Sequence, residues 1–211
     1  MHPEMQFSDL GQQQEIARLG IWVFLATEIL FFGGPLLLYT VYRGAYAQGF
    51  AAAARHTDIL IGTANTFILL TSSFLVAWAT EAIKKDDGRL TALLFGAAVF
   101  LGLVFLGLKG MEYSNEYHEQ LIPGFGFAFA EAERNAALLF FTFYFITTIL
   151  HAIHLMIGIV LLIVIARHAA KGRYGAGYNA PVFVSALYWH FIDLVWIVLF
   201  ALIYLPGRSG P

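Results

Sequence analysis

The chain contains no cysteine, which excludes disulfides, thiolate metal sites and cysteine-based redox chemistry. Charge is also scarce. Only 12% of residues are Asp, Glu, Lys or Arg, about half the share expected of a soluble domain, so an ordinary water-exposed surface is excluded. The net charge of −2 leaves no basic surface for nucleic acid. Residues 1–18 carry Glu4, Asp9, Glu15 and three consecutive glutamines, without the apolar core of a signal peptide, so the first apolar run is expected to insert uncleaved. No internal repeat is visible, which argues against a carrier built from inverted halves.

What the chain has in abundance is apolar bulk: 59% hydrophobic residues, including 20 Phe. These gather into five runs, at 19–42, 58–82, 90–112, 136–166 and 181–205, each long enough to cross a hydrocarbon core about 30 Å thick. Segments of this length satisfy their backbone groups in lipid only as helices. The predicted fold is therefore all-α: a cytoplasmic segment (1–18), one bundle of five transmembrane helices (19–205) and a short tail (206–211).

The basic residues orient it. Seven of the twelve (Arg18, Lys84, Lys85, Arg89, Arg167, Lys171, Arg173) fall on one side and five (Arg43, Arg55, Lys109, Arg134, Arg208) on the other. Cytoplasmic loops retain Lys and Arg, so the N-terminus is expected inside and the C-terminus outside. The outer loop between the third and fourth spans reads as acidic and solvated, with Glu112, Glu116, Glu119, Glu131 and Glu133; Glu112 and Tyr113 are expected as polar groups of the outer face. Such a face would attract a basic partner, a small electron carrier for example.

Ionisable groups inside an apolar span are costly and mark function or a partner. With each span centred in the bilayer, Glu28, His151, His154 and Asp193 share one depth. The three-residue spacings of His151 and His154, and of His190 and Asp193, put each pair on one helix face. They predict a buried polar seam in which histidines pair with Asp193. Helix-to-helix hydrogen bonding is the expected role of the histidines rather than metal or haem ligation, and Glu28 is read as either a proton- or lipid-related carboxyl or a neutral group bonding a neighbour. His118 and His168 are placed in loops. Trp22, Trp78, Trp189 and Trp196 are read as lipid-facing bulk or interface anchors, the alternative being subunit packing or an apolar route for a nonpolar molecule.

Four segments lead further: RLGIWVFLATEILFF (18–32), KGMEY (109–113), HAIHLMIG (151–158) and YWHFIDLVWIVLF (188–200). In this order they resemble subunit III of the haem-copper oxidases, in its five-helix bacterial form, over residues 18 to 205. The resemblance implies a non-catalytic subunit of a proton-pumping terminal respiratory oxidase, an inner-membrane complex that reduces O2 to water. It implies direct packing on subunit I, with subunit II and small subunits in the same complex, and cytochrome c or quinol as electron source. Haem and copper would belong to those partners, none to this chain, and no metal site is expected here. The subunit would support stability of the catalytic core, O2 access and proton uptake. Glu28 would match the family's carbodiimide-reactive mid-membrane carboxyl, while His151, His154, His190 and Asp193 match recurrent polar positions. Bound phospholipid is also implied, although this form lacks the two helices that wall the lipid cleft in the longer one. Subunit III of a quinol oxidase or of a nitric-oxide-reductase-associated complex, a proton-coupled carrier and a haem-binding electron-transfer protein are the competing readings.

Overall fold

The computed structural model describes residues 10–124, 126–129, 133–206 and 208, and residues outside these, Glu131 and most of the 206–211 tail among them, lie beyond the description. Six helices follow one another: α1 (Leu10–Ala45), α2 (Ala47–Ala54), α3 (Ile59–Lys84), α4 (Gly88–His118), α5 (Arg134–Ala170) and α6 (Ala180–Ile203). The chain is 84% helical without strands among the described residues, and five of the helices are long and apolar enough to cross a membrane.

All five spans are therefore found, and α1, α4 and α5 run on past the ends that hydropathy suggested, while α6 stops at Ile203. α5 has 37 residues, about 55 Å at 1.5 Å per residue, well beyond the hydrocarbon thickness. α4 continues to His118, which places Glu112 and Glu116 on a helix rather than in a loop. His168 likewise lies in the last turn of α5. The short α2 was not anticipated; AQGFAAAA is too brief to register as a span, yet its alanines favour helix. Pro35 sits inside α1 without ending it, as membrane helices tolerate.

The turns are set by aspartates. Asp58 Oδ1 accepts from the Leu60 and Ile61 backbone N–H groups at the start of α3, and Asp87 Oδ1 accepts from the Leu90 N–H at the start of α4. Asp86, at φ 60°, turns its Oδ1 to the Ala176 N–H (2.8 Å) and so ties the α3–α4 turn to the α5–α6 loop.

The chain divides into two compact units. The first comprises Met1–Ile29, Leu69–Leu103 and His154–Asp193, the second Leu30–Ile68, Val104–Ile153 and Leu194–Pro211. In the first, fully buried Trp189 is the central side chain, and its indole N–H donates to Ser72 Oγ (3.0 Å). Two glycines make room for it. A Cβ on Gly102 would stand 3.0 Å from Trp189 Cη2, and one on Gly158 3.1 Å from Cε3. Small residues of this kind let helices approach where lipid supplies no hydrophobic drive.

The second unit is aromatic. Phe105 meets Trp196 edge to face at 4.6 Å, Tyr39 packs on Phe50 and Phe140, and the Trp196 indole donates to Thr66 Oγ1 (3.1 Å). Tyr39 donates its hydroxyl proton to the Leu202 carbonyl (2.7 Å), and the Tyr204 ring lies where a side chain on Gly62 would be. Trp189 and Trp196 are thus interior side chains, not the lipid-facing anchors expected of them; each indole N–H needs a hydroxyl partner, and small polar residues on α3 supply both. Trp22 and Trp78 are exposed, as that expectation had it.

Candidate functional site

In the first unit, α1 carries Glu28 and α5 carries His154, and Glu28 Oε2 lies 3.0 Å from His154 Nε2. The two side chains are only 16% and 14% exposed, on a helix whose other residues are largely open to the surroundings, Trp22, Val23, Ile29 and Leu30 among them. A carboxyl facing lipid alone would be strongly disfavoured, so the imidazole turns Glu28 inward. One proton shared along this contact leaves either a carboxylate bonded to imidazole N–H or an acid O–H bonded to imidazole nitrogen, an arrangement able to hold or pass a proton. Tyr188 supports it: its hydroxyl donates to the His154 carbonyl (3.2 Å), and its ring meets Phe24 at 6.0 Å. Arg18 stands over the Phe183 ring at 5.1 Å, a further tether of α1.

The expected His190–Asp193 pair does not form. His190 Nδ1 lies 2.6 Å from Ser73 Oγ, and the buried Asp193 carboxyl faces that same hydroxyl without closing a well-formed hydrogen bond to it. The reason is α3, whose Ser73 offers a hydroxyl to His190 across the helix interface within hydrogen-bond reach. His151 and His154 also part company. His151 is buried in the second unit against Phe105 and Trp196, while His154 serves Glu28. Among the described residues no three His, Cys, Asp or Glu side chains are grouped closely enough to hold a metal ion.

A polar cluster unforeseen in the sequence occupies the second unit. Lys109 on α4 is buried and spends its three donors on Glu112 Oε2 (3.0 Å), Tyr144 Oη (2.7 Å) and Tyr204 Oη (2.6 Å). The two phenols in turn donate to Glu112 Oε1, at 3.1 and 2.7 Å. Tyr113 beside them shares a 2.7 Å hydrogen bond with Thr148 Oγ1. Glu112 is thus an interior ion-pair partner, not a polar group of the outer face, and Tyr113 is half-buried. Lys109 orients nothing either, since it is spent internally. The signal was legible: an isolated Lys with Glu at i+3 and i+7 marks a single charged face on an otherwise apolar helix.

Residues 10–208, nearly the whole chain, match the family described as cytochrome c oxidase subunit III. The chain belongs to this family. Among its relatives, the cytochrome c oxidase subunit 3 of Thermostichus vulcanus is 34% identical over 90% of this chain and 87% of its own length. That of Bacillus sp. strain PS3 is 33% identical over 91% and 86%. A probable quinol oxidase subunit 3 of Staphylococcus epidermidis is 30% identical over 92% and 90%. As an oxidase subunit III, the chain is a multi-pass membrane protein of a haem-copper oxidase complex.

Proposed function

We propose that this chain is the non-catalytic subunit III of a proton-pumping cytochrome c oxidase in a bacterial inner membrane, where it packs directly on subunit I beside subunit II and the small subunits. The observation that carries this reading is the family match over residues 10–208, with all four of its recurrent segments on membrane helices. Haem and copper sit in the partners, and electrons arrive from cytochrome c. The N-terminus lies in the cytoplasm: with Lys109 removed from the count because it is buried, the basic residues divide seven to four in favour of that side.

The subunit acts through its own surface and its polar pair. The open face of α1, rich in Trp22, Val23, Leu30, Phe31 and Leu37, offers apolar contact to the catalytic subunit, to lipid tails and to O2. The Glu28–His154 pair holds a proton at the back of that face and supports proton uptake without a catalytic step of its own. Quinol as donor is the second reading, supported by relatives named as quinol oxidase subunits.

Mild-detergent purification through a tag on this chain tests the proposal. Co-purification of a many-helix haem protein that consumes O2 with reduced cytochrome c is the expected result. Turnover with quinol alone selects the second reading, and a colourless preparation without partners overturns both.

A further inference from the structure

α2 is the helix of the second unit least able to stand alone. Its eight residues fall short of the about 12–15 that an isolated helix needs, and Tyr46 before it makes no side-chain cap. Packing holds its middle: Phe50 is fully buried against Tyr39 and Phe140, and Gly49 lies so close to Ala136 that a side chain there would collide. The last carbonyls of a helix lack partners within it and need others from elsewhere.

Arg208, five residues past the end of α6, reaches them. Its Nη2 group donates to the carbonyls of Ala54 (3.2 Å), Arg55 (3.4 Å) and Thr57, all more than 150 positions earlier in the chain. The guanidinium also meets the negative end of the α2 dipole. Other links from this connection to its surroundings are slighter: His56 lies 3.9 Å from Glu119, both exposed, and meets the Phe129 ring at 5.2 Å.

The connection so pinned borders the buried polar network. His56 and Asp58 wall a cavity of about 180 Å3 whose other side is α4, with Glu112, Asn115, Glu116 and Glu119. Glu112 and Glu116 are buried, and Glu112 is bonded to Lys109. Charge contacts of this kind weaken several-fold when water replaces a low-dielectric surrounding. The position of residues 54–58 therefore sets how much water meets the network.

We propose that Arg208 is a clasp: it holds residues 54–58 closed over the α4 cavity, and its release opens the Lys109 network to water. Two features suit a clasp. Arg208 is itself exposed, so it lets go without opening an apolar core. Its acceptors are backbone carbonyls, so the catch survives changes of side chain at 54, 55 and 57. Tyr204, four residues before Arg208, donates to Glu112, so one short stretch of chain serves both the network and its cover.

The test compares wild type with Arg208→Ala in the full-length chain, purified in mild detergent with whatever assembly it holds. Amide hydrogen exchange over residues 47–61 is expected to rise several-fold in the variant, while residues 88–103 of the first unit keep the wild-type rate. Carboxyl labelling with a water-soluble carbodiimide and an amine is expected to rise several-fold at Glu116, with exposed Glu119 labelled equally in both as the reference. Unchanged exchange over 47–61 overturns the clasp, and raised exchange with unchanged labelling of Glu116 overturns its hold on the network. Should Arg208→Ala not assemble, trypsin on the native wild type decides. An engaged Arg208 is expected to resist cleavage, and cleavage after it as fast as after the exposed loop residue Lys171 overturns the proposal. None of these readouts uses turnover, so they are independent of the oxidase reading and of the electron donor.

Discussion

The two units handle buried polarity in opposite ways. The second concentrates it: Lys109, Glu112, Tyr144 and Tyr204 form one closed network in which every ammonium proton and both phenol protons are used. The first disperses it into separate small contacts, Glu28 with His154, Ser73 with His190 and Ser72 with Trp189. A closed network fixes the packing of the helices that supply it, because losing any member strands the others in a dry interior. Separate contacts can be altered singly, and a group that must exchange a proton is better placed in such a contact than in a network that collapses when one charge changes.

The sharpest way to break this contrast is Lys109→Met. It leaves the Glu112 carboxylate buried without its counter-charge, for which about 3–5 kcal/mol of destabilisation is expected. Thermal unfolding of the purified assembly, or its yield if the variant does not accumulate, checks this. Adding Glu112→Gln to Lys109→Met removes the stranded charge and is expected to recover part of the loss. A double variant no better than the single one would mean that the network is not held by its charges.

Next comes packing in the first unit. Gly158→Val places a methyl-bearing carbon against Trp189 and Ile192, at 3.1 and 3.0 Å from the first added atom. Overpacking of this kind costs about 1–3 kcal/mol, whereas Gly33→Ala meets open space and is expected to cost little. Equal melting temperatures for the two variants would show that Trp189 yields easily.

Why the five spans were readable and the polar contacts were not has a simple physical basis. Length and apolarity are local properties of α3, α4, α5 and α6, and lipid enforces helix on any such run. Glu28, His151, His154, His190 and Asp193 could be picked out because charge is rare in these runs, but their partners depend on which helices touch. Spacing along α6 suggested His190 with Asp193, while the contact with α3 gives His190 to Ser73. Lys109, Glu112 and Glu116 were misplaced because hydropathy ends a span at its first charges, although a helix whose charges are internally paired continues. Trp189 and Trp196 were misread for a related reason: their hydroxyl partners, Ser72 and Thr66, lie more than a hundred residues away in sequence.

The corrected partners make a finer distinction within the first unit. Ser73→Ala removes the hydroxyl from His190 and is expected to cost about 1 kcal/mol, in the range of a lost neutral hydrogen bond. Asp193→Asn is expected to change stability by less, since the amide keeps the shape of the carboxyl and can still face the Ser73 hydroxyl. If Asp193→Asn proves the more damaging of the two, Asp193 bonds a water or a partner subunit, and its role shifts from packing to assembly.

The smallest effect is expected at Glu28. Glutamine has nearly the shape of a neutral glutamic acid and can still accept from, or donate to, His154 Nε2 across the 3.0 Å contact. Hydrogen bonds between membrane helices are worth about 0.6 kcal/mol on average, and Glu28→Gln forfeits only part of that. Assembly and thermal stability should therefore stay near wild type, while any proton held between carboxyl and imidazole loses one of its two sites. The two consequences separate in one preparation. A wild-type melting curve with altered proton uptake during O2 turnover is expected if the pair handles protons. A wild-type curve with unaltered uptake leaves Glu28 a packing contact. Loss of the assembly would instead mean that the ionised carboxylate itself binds α1 to α5, and the contrast between a rigid, networked unit and a separately tunable one would not hold.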